Sequence, residues 1–147
     1  MSPLQRTAFK VGCYAAVVTA LLHMTGVFLE PLPANDTERQ LHELASTYKF
    51  PLPGGPNRTM LEITSGFSLV YALMLALTGG LGLIVSRRAA NDDLLFLATA
   101  RALAGGYLVL LAISVTHFFL VPTACTAVIA LSFAIAASGR SARAPSV

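Results

Sequence analysis

The chain contains no tryptophan, and charged residues make up only 12% of its 147 positions. That is about half the charged share of an ordinary soluble domain. A water-soluble globule this small exposes much of its surface and needs more charge to cover it. Lys and Arg together number 10, but they stand in ones and twos and form no basic stripe. The net charge of +3 therefore gives no nucleic-acid signature, and no nucleic-acid partner is expected. Cysteine is scarce too: Cys13 and Cys125 are the only two, and no CxxC pair exists. A thiol-redox role is thereby disfavoured. In the topology below the two lie near opposite faces of a membrane, too far apart for a disulfide.

What is abundant is apolar. Hydrophobic residues reach 55%, and the mean hydropathy is +0.69. Lipid must cover part of so much apolar surface. The expected fold class is an all-α membrane protein, a four-transmembrane-helix bundle forming one domain over residues 1–147. Apolar runs predict spans at about 8–29, 59–85, 94–120 and 123–137. Arg6 and Lys10 precede the first run as in a signal peptide. That run is too long for one and no good cleavage site follows, so a retained helix is expected. Glu30-Pro31 marks its end, and Arg87-Arg88 ends the second. Asn91 is placed to cap the third, with Asp92 and Asp93 in its first turn. Pro122 breaks or restarts the chain before a short fourth span.

Lys and Arg counts give an orientation. Arg6, Lys10, Arg87, Arg88, Arg101, Arg140 and Arg143 fall on one side, and Arg39, Lys49 and Arg58 on the other. The richer side is the cytoplasm, so both termini are expected there. The only long connection, residues 30–58, lies outside. Within it, 36–49 reads as an amphipathic surface helix. Asn35 and Glu38 have capping-box spacing, and Leu41, Leu44, Ala45 and Tyr48 form one apolar stripe. Arg39 and Glu43 are spaced to pair on its wet face. The tail, 138–147, is rich in Ser, Ala and Arg and reads as disordered.

Helices in lipid pack through small residues. Gly12, Ala16, Thr19, His23 and Gly26 form such a seam on the first span. Gly79, Gly80 and Gly82 mark the second span, Gly105 and Gly106 the third. These last five fall in the cytoplasmic half, which predicts a tight inner end and a looser outer end able to hold a cavity.

Three ionisable side chains stand out in the outer half: His23, Glu62 and His117, each on a different span. A charged or polar group facing lipid costs several kcal/mol, so all three are expected to point inward and share one cavity. Ser65, Phe67, Ser114 and Arg58 complete the expected ligand-binding set. Tyr71, Phe118 and Phe119 are candidate apolar lining, Glu30 and Arg58 a pair at its mouth, and His42 a solvated side chain on the loop helix. Arg101 is expected to snorkel to the interface or to pair with Asp92 or Asp93. The trio is open to several chemistries. Two imidazoles and a carboxylate can ligate zinc or iron, although no HxxxH spacing is present. They can also serve as catalytic acid and base on an apolar substrate, or form a hydrogen-bonded pair that only fixes helix register.

His23-Met24-Thr25-Gly26, Ser65-Gly66-Phe67-Ser68 and the run His117 to Pro122 together resemble a family of small four-helix bacterial membrane proteins. The resemblance implies this fold and a bacterial origin, and it carries no activity across; the expected location is a bacterial cytoplasmic membrane. No motif of the quinone-linked or glutathione-using four-helix membrane proteins is present. The expected function is an outward-facing pocket for a lipophilic small molecule or lipid. Alternatives are a membrane enzyme of isomerase, cyclase or oxidoreductase type using the same residues, and a structural partner subunit or homo-oligomer. No cofactor is specified.

Overall fold

The structure is a computed structural model, and it describes residues 1–29, 32–51, 53–89 and 92–139. Among these are five helices: α1 (Pro3–Phe28), α2 (Asp36–Thr47), α3 (Met60–Arg88), α4 (Asp93–His117) and α5 (Leu120–Ala137). Two short strands, β1 (Lys49–Phe50) and β2 (Arg58–Thr59), pair antiparallel between α2 and α3. Four of the helices, all but α2, are long and apolar enough to cross a membrane. Glu30, Pro31, Asn91 and the tail from Arg140 onward lie outside the described residues, so the expectations placed on them do too.

Helix ends follow capping chemistry rather than the edges of the apolar runs. α1 starts at Pro3, five residues ahead of the hydropathy boundary. The Gln5 N–H donates to Ser2 Oγ at 3.3 Å, and the Ser2 N–H donates back to Gln5 Oε1 at 2.9 Å. This is a reciprocal capping box with proline at the first helical position, where its missing N–H costs nothing. At α4 the cap is Asp92, whose Oδ1 accepts from the Leu95 N–H at 2.9 Å. The break before α5 falls at Phe118 and Phe119, not at Pro122. Pro122 sits in the first turn of α5, where N–H groups have no intrahelical acceptor. The 18 residues of α5 span about 27 Å at the usual helical rise.

The chain divides into two compact units, one of Met1–Thr19 with Leu75–Val147, the other of Ala20–Met74. In the first unit, four helical segments share a core. Phe9 of α1, Phe96 of α4 and Phe133 of α5 are all fully buried. Their rings meet at centroid distances of 4.8 Å for Phe9–Phe96 and 5.4 Å for Phe9–Phe133. Tyr107 adds a third contact, 5.5 Å from Phe133. Arg6 lies over the Phe96 ring at 5.5 Å and pairs with Asp93 at 3.0 Å. Arg101 donates instead to the Gly139 carbonyl at 3.2 Å, not to Asp92 or Asp93. A cation at the carbonyl end of α5 also suits that helix's dipole. Cys13 is buried, Cys125 half-buried, and both are free thiols.

Two glycines bring α3 against α1 in this unit. A Cβ added at Gly79 would lie 2.5 Å from the Cys13 carbonyl oxygen. One at Gly82 would lie 2.5 Å from Cys13 Sγ. No real Cβ tolerates either distance, so these positions set the approach of the two backbones. Gly12 does the same for the Phe133 ring, 3.0 Å from an added Cβ. Gly80, Gly105 and Gly106 behave otherwise: among the described residues a Cβ there meets nothing within 4 Å. Of the five glycines expected to close the inner end, Gly79 and Gly82 thus pack and Gly80, Gly105 and Gly106 meet nothing described; adjacent helical positions point about 100° apart, so only one of Gly79 and Gly80 can face α1.

The second unit contains the end of α1, α2, the two-stranded ladder and the start of α3. Its buried side chains are small, such as Ala20 and Ala72, whereas the largest fully buried ones belong to the first unit. α2 opens on Asn35, whose side-chain oxygen accepts from the Glu38 N–H at 2.9 Å. The Glu38 carboxylate returns to the Ala34 N–H at 2.7 Å. Arg39 pairs with Asp36 one turn back rather than with Glu43.

The glycine geometry sets up a paired test by thermal unfolding in detergent. Gly79→Ala should cost about 1–3 kcal/mol, because α3 must move away from α1. Gly80→Ala and Gly106→Ala should be neutral or stabilising by up to about 1 kcal/mol, since alanine is the better helix former. Equal effects at all three would contradict the packing described.

Candidate functional site

Glu62 has a definite local task. Thr59 caps α3, and its Oγ1 accepts from the Glu62 N–H at 3.2 Å. Glu62 Oε2 accepts in return from the Thr59 N–H at 2.9 Å. Its other oxygen faces Arg58 Nη1 at 3.3 Å. The side chain is about half exposed, at 48%. Glu62 is therefore the third residue of a capping box at the helix mouth, and Arg58 pairs with it. The Thr-x-x-Glu spacing that reveals this is present in the sequence. Glu62 and His23 belong to the second unit, and His117 to the first.

His23 differs from Glu62 in having an unmet group. Its side chain is half-buried. Its Nε2 is buried and has no hydrogen-bond partner. The ring stands edge-on to Tyr71 of α3, with centroids 5.1 Å apart and planes at 78°. Of the other positions expected to line a pocket in this unit, Ser65 is half-buried and Phe67 is 71% exposed.

On α4, Ser114 and His117 serve the helix end. Ser114 Oγ lies 3.0 Å from Thr123 Oγ1 of α5, and Thr123 donates to the Ser114 carbonyl at 3.2 Å. The buried Ser114 is thus a pin holding the corner between the two helices. His117 is exposed, with Nδ1 2.6 Å from Thr116 Oγ1 and 3.1 Å from the Ile113 carbonyl oxygen. Thr116 Oγ1 donates to the Ala112 and Ile113 carbonyls. Donation to the Ile113 carbonyl requires the imidazole proton on Nδ1. Phe118 and Phe119 beside it are exposed. Within neither unit do three His, Cys, Asp or Glu side chains of the described residues gather as a metal site.

A hollow of about 430 Å³ opens in the second unit, lined by Leu41, Leu44, Ala45, Tyr48, Phe50 and Met60. α2 supplies three of these residues, and Tyr48 follows as its cap. Phe50 comes from the ladder and Met60 is the first residue of α3. Tyr48 and Phe50 meet edge to face, centroids 5.0 Å apart. No charged side chain lines the hollow. No residue of α2 is buried, and Leu41 and Leu44 are 66% and 61% exposed. The Leu41–Leu44–Ala45–Tyr48 stripe was visible in the sequence, but the strand pairing that brings Phe50 to it was not: two residues per strand carry no periodicity.

The two units thus define a protein with four long apolar helices and a short fifth helix beside an apolar hollow. No protein-family model, curated protein or solved structure matches the chain.

The capping geometry predicts that Thr59→Ala costs about 1 kcal/mol in unfolding. Glu62→Gln, which keeps an acceptor for the Thr59 N–H, should lower the unfolding temperature less than Thr59→Ala does. A larger loss from Glu62→Gln would mean that the carboxylate does more than cap.

Proposed function

We propose that the chain is a multi-pass protein of a bacterial cytoplasmic membrane, with both termini cytoplasmic. We further propose that its function is to hold a lipophilic molecule, the acyl chain of a bilayer lipid, in the hollow beside α2. The orientation is supported by the count of Lys and Arg along the chain: three fall within residues 30–58 and seven outside them. Membrane insertion is supported by the uncovered apolar surface. Only 22–33% of the most apolar stretch of each long helix is buried within the protein. In water that surface would be a severe liability; in lipid it is the ordinary outside of a spanning helix.

The observation that carries the ligand reading is the hollow itself. Its volume falls in the range of sites for small apolar ligands. Its lining is apolar, and Met60 places it at the very start of a spanning helix, the level at which acyl chains begin. α2 carries Asp36, Glu38, Arg39 and Glu43 for its wet side and Leu41 and Leu44 for the hollow, as a helix lying in the interface requires. The trio of His23, Glu62 and His117 does not favour acid–base chemistry over binding. The Glu62 carboxylate is engaged by Thr59 and Arg58, and Ser114 by Thr123.

Protein reconstituted with a phosphatidylcholine carrying a photoreactive acyl chain should crosslink mainly within the segment from Leu41 to Met60. Replacing Leu41 and Leu44 together by Gln should lower that yield several-fold. Crosslinks spread evenly along α3 and α4, and indifferent to the double substitution, would contradict the binding site.

A further inference from the structure

His23 Nε2 poses a separate question. It is the one buried side-chain nitrogen or oxygen without a hydrogen-bond partner among the described residues. Leaving such a group unpaired costs about 1–3 kcal/mol, so native proteins supply it with something. The nitrogen lies five residues before the end of α1, about 8 Å along the helix. Lipid tails offer it no partner. A lone water is a poor answer, since buried waters hold about three hydrogen bonds each and no second unmet side-chain atom stands ready.

The surroundings fit a ligand that brings one polar atom on an apolar body. Tyr71 forms an aromatic wall on one side of the ring. Gly26 is three residues on, over the same face of α1, and a Cβ there would meet nothing within 4 Å. Ala20, one turn back, and Ala72, beside Tyr71, are small and buried. One turn from the buried imidazole nitrogen the helix surface is therefore open at Gly26, and the neighbours Ala20 and Ala72 are small. A charged ligand is unsuited, because no charged side chain of either helix lies within a turn of His23 or Tyr71.

We propose that His23 Nε2 anchors a neutral oxygen, a carbonyl or a hydroxyl, of a lipophilic molecule held beside α1 against Tyr71. This rests on the membrane placement above and is independent of the hollow beside α2. The whole chain, labelled with heavy nitrogen in its three histidines, is placed in phosphatidylcholine nanodiscs and titrated with three probes: dodecanol, a long-chain methyl ketone, and dodecane. The imidazole nitrogens of His23, assigned from a His23→Phe variant, should shift saturably with the alcohol or the ketone. Dodecane should leave them unmoved, and His42 and His117 should not respond. His23→Phe should bind the responding probe about fivefold more weakly, the equivalent of one neutral hydrogen bond. His23→Gln, which keeps a polar end, should retain most of the affinity. No shift with any probe, or equal shifts with dodecane, would overturn the anchor. Failure of the chain to enter nanodiscs would overturn the membrane placement and the anchor with it; entry without a shift would overturn the anchor alone.

Discussion

Uncovered apolar surface is the constraint on which the rest depends. Each of the four long helices buries at most a third of its most apolar stretch. Exposed positions include Leu21, Leu22, Val70, Leu81, Val109 and Leu131, all about half exposed or more. With so little of the chain's surface spent on internal packing, the contacts that do form must be close. That is the role of Gly79 and Gly82 against Cys13, and of Gly12 against Phe133. Small residues let backbones approach where no hydrophobic gain separates helix from lipid.

The two units divide the labour differently. The first is knit by fully buried rings from three helices, by Arg6 and Asp93, and by the Ser114–Thr123 pin. The second unit buries only small side chains, and both candidate binding features fall within it: the hollow beside α2 and the unmet nitrogen of His23. A segment that buries only small side chains is a natural place for a ligand, because packing that is absent there need not be displaced.

The helices were legible because long apolar runs leave few alternatives. Their ends were less so. Hydropathy marks where apolar residues begin, and the cap of α1 at Ser2–Gln5 lies before that point. Glu62 lies inside the apolar run that starts at Thr59 and so reads as a carboxylate within the membrane, although Thr-x-x-Glu spacing announces a helix start there. Which glycines pack could not be read from one strand of sequence, because it depends on where the neighbouring helix lies; Gly79 and Gly80 are equivalent until α1 is in place. His23 was legible as a polar residue on a small-residue face. Its lack of a partner was not, since that is a property of everything around it.

The absence of native tryptophan makes one measurement especially clean. Val109, near the middle of α4 and 61% exposed, can be replaced by a single tryptophan in protein reconstituted into liposomes. Its fluorescence should be blue-shifted and strongly quenched by lipids brominated on their acyl chains, while a tryptophan at His42 on α2 should be redder and less quenched. Red-shifted emission from Val109→Trp, unaffected by brominated chains, would mean that water rather than lipid covers the long helices.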